Sequence, residues 1–274
     1  MLSMDLSKIK LVVTDMDGTL LNSNHEVSDL FFELFKKLKE HDILFVAASG
    51  RPHYSITGKL ETIKDDIIII AENGGIVSKN ENVLLSIPIK KNSLYKIEDL
   101  IAVNNHIHPI YCTKSQAYFK DTSNGFIKLL SEYYPNFYVV NTVDEIKEDI
   151  IKIALYHHED SKKFIFSHFK DLVSEYKVIV SGKHWVDISD DSANKGNALQ
   201  LLQNNYNIKA EETIVFGDYN NDIEMLKLAS YSFAMENAIQ DVKNIANYKT
   251  KSNDDFGVEI ILKKLITAKE NMTA

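Results

Sequence analysis

Short aliphatic runs alternate with amphipathic stretches along the chain. Leu11-Val12-Val13 reads as a buried strand ending at Asp15. Leu30, Phe31, Leu34, Phe35 and Leu38 then share one helical face behind Ser28, a residue suited to capping a helix N-terminus. Leu44 to Ala48 predicts a second strand, a helix follows Pro52, and Ile67 to Ile70 predicts a third strand. Strands that are apolar on both faces and alternate with helices predict a parallel sheet covered by helices. The rhythm returns late in the chain. A helix opens at Lys195, a strand covers Thr213 to Phe216, a helix Asn221 to Ala229, a short strand Tyr231 to Ala234, and a closing helix starts near Gly257.

Between these halves the pattern changes. Residues 82–184 hold Pro88, Pro109 and Pro135, most of the histidines, and short strands such as Ile151 to Tyr156 and Lys177 to Val180 mixed with helices such as Lys162 to Tyr176. The expected fold class is therefore α/β. Residues 1–81 and 185–274 form a doubly wound, Rossmann-like parallel sheet, and residues 82–184 form an inserted α+β domain.

Composition narrows the function classes. With 274 residues and 45% hydrophobic positions the chain can bury a substantial core, which excludes a disordered or fibrous protein. The net charge of −8 argues against nucleic acid, because phosphate-backbone binding needs a basic face. Cys112 is the single cysteine, so no internal disulfide forms, and it reads as a packing residue. The longest aliphatic stretch, Ile67 to Ala71, is far short of the roughly 20 residues of a membrane span. Residues Met1 to Lys10 lack the apolar core of a signal peptide, so a cytoplasmic location with no membrane partner is expected.

Candidate chemistry gathers where the strands end, which is where open parallel sheets bind ligands. Asp15-Met16-Asp17-Gly18-Thr19-Leu20 follows the first strand, and two carboxylates two residues apart in extended chain face one pocket. Such a pair needs a cation or a shared proton. Ser49-Gly50-Arg51 follows the second strand and offers a hydroxyl and backbone N–H groups to an anion, with Arg51 read as a structural pairing. Asn194-Lys195-Gly196 opens a helix and brings a cation. Gly217-Asp218-Tyr219-Asn220-Asn221-Asp222 adds another acidic strand end. Each segment alone has a bland reading as a turn, a cap or a solvated lysine. Together they make a pocket of carboxylates, cations and anion-binding groups.

With these motifs in this order, the chain resembles the haloacid dehalogenase superfamily in its Cof-type branch, which carries a large type-IIB cap. Asp15 to Leu20 match Asp-x-Asp-Gly-Thr-Leu, Ser49-Gly50-Arg51 the hydroxyl motif, Lys195-Gly196 the lysine motif, and Gly217 to Asp222 Gly-Asp-x-x-Asn-Asp. The resemblance implies an Mg²⁺-dependent phosphatase for a small phosphorylated metabolite, with a sugar phosphate favoured. Asp15 would be the nucleophile and Asp17 the general acid and base. Mg²⁺ would sit on the Asp15 and Asp218 carboxylates and the Asp17 main-chain carbonyl, with Asp222 orienting a bound water. Ser49, Lys195, Asn221 and the N–H groups of Met16 and Gly50 would hold the phosphoryl oxygens. The alternatives are a phosphosugar mutase and a non-catalytic phospho-ligand sensor. The chain itself is expected to be a monomer or weak homodimer. His106, His108, His157 and His158 read as surface or strand residues, Glu72-Asn73-Gly74-Gly75 as a tight turn near a hinge, and Trp185 as either insert core or a lid.

Overall fold

A computed structural model describes residues 5–80, 82–104, 106–120, 124–134 and 136–273. Pro135, the expected boundary residue 81, and the chain ends at 1–4 and 274 lie outside them. Two units emerge. The first comprises residues up to Arg51, Ser55–Leu84 and Asn194 onward, and the second comprises Pro52–Tyr54 and Leu85–Ala193.

In the first unit, β1 (Leu11–Asp15) is buried along its whole length. α1 (Asp29–Glu40) follows, with Ser28 Oγ accepting from the Phe31 N–H at 3.0 Å and Phe31, Leu34, Phe35 and Leu38 buried. Phe45 of β2 (Leu44–Ala48) meets the Phe31 and Phe35 rings at 5.1 and 5.8 Å. After α2 (His53–Lys59) come β3 (Ile68–Ala71), β4 (Ile76–Lys79) and β5 (Asn82–Ser86). This eight-stranded sheet is completed by β12 (Thr213–Gly217), β13 (Tyr231–Ala234) and β14 (Tyr248–Lys249), in the order β14-β13-β12-β1-β2-β3-β4-β5. β14 through β3 run parallel and β4 turns back antiparallel to β3. β1 lies between β2 and β12, so the ends of three parallel strands open at one edge.

The second unit has its own sheet, ordered β10-β11-β9-β6-β7-β8. The strands are β6 (His108–Cys112), β7 (Ala117–Phe119), β8 (Phe137–Val139), β9 (Lys152–Tyr156), β10 (Tyr176–Gly182) and β11 (Trp185–Asp190). Strand alternation sends Tyr111, Ile153, Leu155, Val186 and Ile188 to a cluster with Leu94 and Ile97 of α3 (Lys91–Ala102). Ile110, Cys112, Phe119 and Ala154 pack with Phe126 and Leu130 of α4 (Asn124–Tyr133). Cys112 is buried there as a small packing residue. His157 is buried and stacked on Phe164, and His108 lies against Phe126. Trp185 is half-buried beside Tyr156, with ring centroids 4.9 Å apart.

Three expectations need correction. The insertion does not stop at residue 184, because β11 pairs antiparallel with both β9 and β10 and so residues 185–193 belong to the second unit. The expected helix over Lys162–Tyr176 is instead a π turn (Lys162–Phe166), the short α5 (Ser167–Phe169) and a 3₁₀ turn (Lys170–Ser174), with Tyr176 already in β10. The expected helix over Asn221–Ala229 is a 3₁₀ turn (Asn220–Asp222) running into a short α7 (Ile223–Leu226). Its first turn is tightened because the Asp222 carboxylate reaches back to main-chain N–H groups before it. The remaining helices are α6 (Lys195–Tyr206), α8 (Gln240–Ile245) and α9 (Gly257–Thr273). Among the described residues no helix is long and apolar enough to cross a membrane.

Candidate active site

The site is assembled entirely within the first unit, at the ends of β1, β2 and β12 and the first turn of α6. Asp15 is the last residue of β1 and is buried. Its Oδ1 accepts from Lys195 Nζ at 2.6 Å, and its buried Oδ2 has no hydrogen-bond partner among the described residues. Lys195 is fully buried and donates also to Asp222 Oδ1 at 2.7 Å. It sits at the start of α6 because Asn194 caps that helix, its Oδ1 accepting from the Asn197 N–H at 2.8 Å. The other Asp222 oxygen accepts from the main-chain N–H groups of Asp218 and Tyr219 at 2.9 and 3.1 Å. Both Asp222 oxygens are thus committed, and that residue ties the loop after β12 to Lys195.

Asp218 follows β12 and lies against Gly18, with Thr19 Oγ1 donating to its Oδ1 at 3.3 Å. Gly18 has φ +75°, and a Cβ there would fall 2.4 Å from Asp218 Oδ2, so the turn after β1 requires glycine on both counts. That turn closes with the Leu21 N–H donating to the Met16 carbonyl at 2.8 Å.

Here the sequence argument from extended-chain alternation fails. β1 ends at Asp15, Asp17 lies in the turn, and the two carboxylates take different cations. Arg51 Nε and Nη2 donate to the two Asp17 oxygens at 2.6 and 2.5 Å, and His25 Nδ1 lies 3.4 Å away. Arg51 does make a pairing, and its partner is the expected acid–base residue. Ser49, buried after β2, accepts through Oγ from the Arg51 N–H at 3.0 Å, and its carbonyl accepts from the Asn73 N–H at 2.9 Å. Asn221 Nδ2 donates to Asn73 Oδ1 at 2.9 Å. Asn73 has φ +55° and its side chain fills the space beside Gly50, so the Glu72-Asn73-Gly74-Gly75 turn packs on two of the expected phosphate-binding segments.

The electrostatics follow from this packing. Burial, then repulsion from Asp222, raises the Asp15 carboxyl well above its ordinary value in spite of Lys195. Burial and Asp222 push Asp218 up to about 6. Asp17 also feels burial, but Arg51 outweighs it and holds that carboxyl below its ordinary value. Lys195 is held charged by Asp15 and Asp222 against its own burial. Four carboxylates (Asp15, Asp17, Asp218, Asp222) thus face two permanent cations, leaving a deficit that one divalent ion would cancel. Ligand oxygens of Asp15, Asp218 and Asp222 lie within 4.8 Å of one another. An all-oxygen set with an unpartnered buried Asp15 Oδ2 fits a hard divalent cation. Since both Asp222 oxygens are committed, Asp15 and Asp218 would hold it.

Sequence reasoning missed Thr19, His25 and Asn73 as members of the site. Thr19 stood within the first motif and Asn73 within the noted turn, whereas nothing local marked His25.

The family model for haloacid dehalogenase-like hydrolases matches residues 12–262. A 5-amino-6-(5-phospho-D-ribitylamino)uracil phosphatase of Escherichia coli is 30% identical over 262 residues, covering 94% of this chain and 96% of the relative. A crystal structure from Streptococcus mutans aligns with TM-score 0.82 at 31% identity, covering 94% of this chain and 99% of that one. A subclass IIB sugar phosphatase shares the fold, with TM-score 0.77 at 21% identity over 93% of this chain and 98% of its own.

Proposed function

The chain belongs to the haloacid dehalogenase-like hydrolase family and is a phosphatase of it, and from that premise we propose that it hydrolyses phosphate monoesters of small metabolites, with Mg²⁺, through a phosphoryl group carried on Asp15. The observation that carries the reading is Asp15 itself. One oxygen is fixed by Lys195, the other is buried with no hydrogen-bond partner among the described residues, and an Asp15 carboxylate oxygen lies within 4.8 Å of one of Asp218. A carboxylate oriented by a buried lysine is a nucleophile held in one direction.

The favoured substrate carries its phosphate on a polyhydroxylated carbon chain. That chemistry is common to a sugar phosphate and to the phosphoribityl group named for the Escherichia coli relative.

In the first step an Asp15 oxygen attacks phosphorus, the bond to the leaving oxygen breaks, and Asp17, in its protonated form, gives that oxygen a proton. In the second, water attacks the phosphoryl group, Asp17 takes the water's proton, and Asp15 and inorganic phosphate are released. Ser49, Lys195, Asn221 and the N–H groups of Met16 and Gly50 hold the transferring oxygens, since positioning and charge carry most of phosphoryl-transfer catalysis. Mg²⁺ on the Asp15 and Asp218 carboxylates and the Asp17 carbonyl would neutralise charge between nucleophile and phosphate.

A screen of phosphorylated metabolites that reads released phosphate, with Mg²⁺ and with EDTA, tests the activity and its metal. Asp15→Asn tests the covalent route. Turnover should require Mg²⁺ and vanish in that variant, and acid quenching during turnover should leave phosphate on Asp15 of the wild type. Appreciable hydrolysis by folded Asp15→Asn overturns the covalent mechanism.

A further inference from the structure

The turn after β3 joins three of the segments that the reading above places around the phosphoryl group. Glu72, Asn73 and Gly74 have φ of +49°, +55° and +98°, three left-handed residues in a row. Such main chain is costly for Glu72, and it persists only where the surroundings fix it, most often at functional sites. Here they do. The Glu72 N–H donates to the Arg51 carbonyl at 3.1 Å and the Asn73 N–H to the Ser49 carbonyl at 2.9 Å, which ties the turn to the end of β2. On the other side Gly74 packs so closely on Asn194 that a Cβ would fall 2.3 Å from its carbonyl oxygen. Asn194 caps α6 and precedes Lys195, so the same turn also braces the segment that carries the lysine.

The Asn73 side chain acts from this fixed base. Its amide lies over Gly50, where a Cβ would come within 3.0–3.3 Å of it, so glycine there leaves the amide its place. Its Oδ1 accepts from Asn221 Nδ2 at 2.9 Å. Asn221 is half-buried in the 3₁₀ turn that follows Asp218. An amide nitrogen carries two hydrogens in one plane, so committing one of them fixes where the other points. A donor held in advance also spares the entropy of ordering it when a ligand arrives.

We propose that Asn73 is a positioning residue for the phosphoryl group: it holds the Asn221 amide in one orientation, so that the second Nδ2 hydrogen meets a phosphoryl oxygen, and it does not touch the phosphate itself. This rests on the reading of Asn221 as a residue that holds the phosphoryl oxygens. The role needs no change of protonation in either asparagine.

Inorganic phosphate, the product, is the probe. Its inhibition constant against p-nitrophenyl phosphate hydrolysis is measured with Mg²⁺ in wild type, Asn73→Gly, Asn221→Ala and the double variant, with the melting temperature of each. Glycine suits φ +55°, so Asn73→Gly removes the side chain without straining the turn. Asn221→Ala should raise the inhibition constant by at least about tenfold, the worth of a hydrogen bond to a charged group. Asn73→Gly should raise it about three- to tenfold, with KM rising in step and kcat kept within about threefold. The double variant should stay within about twofold of Asn221→Ala, because Asn73 acts only through Asn221. A turn that merely holds the fold together would lower the melting temperature and leave the inhibition constant of the folded enzyme where it was. Should Asn73→Gly be too unstable to assay, Asn73→Ser, too short to reach Asn221, takes its place in the same cycle.

An unchanged inhibition constant in the Asn73 variant overturns the proposal, and so does a double variant that shows the product of the two single effects. Asn221→Ala separates this from the reading beneath it. If that variant binds phosphate as wild type does, the placement of Asn221 on the phosphoryl group has failed and the proposal falls with it. If Asn221→Ala weakens phosphate and the Asn73 variant does not, the positioning role alone is rejected.

Discussion

Replacing Lys195 with methionine removes the cation between two buried carboxylates while nearly preserving volume. Lys195 Nζ lies 2.6 Å from Asp15 Oδ1 and 2.7 Å from Asp222 Oδ1, and its side chain is wholly inaccessible. At an effective dielectric of 20, Coulomb's law gives about 6 kcal/mol of attraction for each pair. Burying the lysine consumes most of that, yet taking one partner out of a formed buried network costs about 3–5 kcal/mol, because the carboxylates then stand uncompensated. For a unit of this size that is a fall of roughly 6–20 °C in melting temperature. Urea titration followed by circular dichroism, in EDTA so that metal cannot substitute for the lysine, measures the loss. Adding Asp222→Asn to Lys195→Met should recover at least about 1 kcal/mol, since residues in one ion network couple by that much. The cost should also shrink as the pH falls, because Asp15 already has a raised carboxyl pKa and takes up a proton readily. A loss below about 1 kcal/mol, or no coupling to Asp222, would refute the claim that this lysine neutralises the site.

Three further outcomes follow from the geometry. Asp218 is pushed up to about 6 from an ordinary 3.8, so between those values the folded protein binds its proton more tightly than the unfolded chain. Metal-free wild type should therefore gain stability relative to Asp218→Asn as pH falls from 7 to 4, and a constant difference across parallel urea titrations would contradict the shift. Gly18→Ala places a Cβ 2.4 Å from Asp218 Oδ2 at φ +75°, and should cost about 1–2 kcal/mol. It should also raise the Mg²⁺ concentration needed for half-maximal activity, and unchanged metal dependence would show that Asp218 is free to move aside. EDTA should stop turnover, Mg²⁺ should restore it, and Ca²⁺ should inhibit, because its larger and looser shell suits the small site poorly; full activity in EDTA would remove the metal from the mechanism.

The core sheet was legible because its strands are buried on both faces. Leu11–Val13, Leu44–Ala48 and Ile214–Phe216 are unbroken apolar runs, each followed at once by a polar motif. β11 was assigned to the wrong unit because Trp185-Val186-Asp187-Ile188 alternates as any half-buried strand does, and only its pairing with β9 and β10 places it. Asp15, Lys195, Asp218 and Asp222 were recognisable as a set because each sits at a strand end or helix start. The division of labour between them was not. That Lys195 serves Asp15 while Arg51 serves Asp17 depends on β1 ending one residue before the chain turns. Period-two reasoning has no access to where a strand stops. His25 was invisible for a related reason, since its approach to Asp17 comes from a left-handed residue in the turn between Asn22 and Glu26.

The pairing of β1 with β12 has a consequence for how the chain is made. Leu11 lies opposite Thr213, so β1 waits about 200 positions of synthesis for its neighbour. At about 5–20 residues per second that is roughly 10–40 s on the ribosome. Throughout that time one edge of an apolar parallel ribbon is without its native mate. Residues 85–193, in contrast, contain all six strands of their own sheet and emerge in full before β12 exists. The nascent protein therefore passes through a stage in which the later-starting unit is complete and the earlier-starting one is not. High contact order makes the final closure slow, and conditions that delay elongation between residues 193 and 217 should increase aggregation of the nascent chain more than delays anywhere after residue 249.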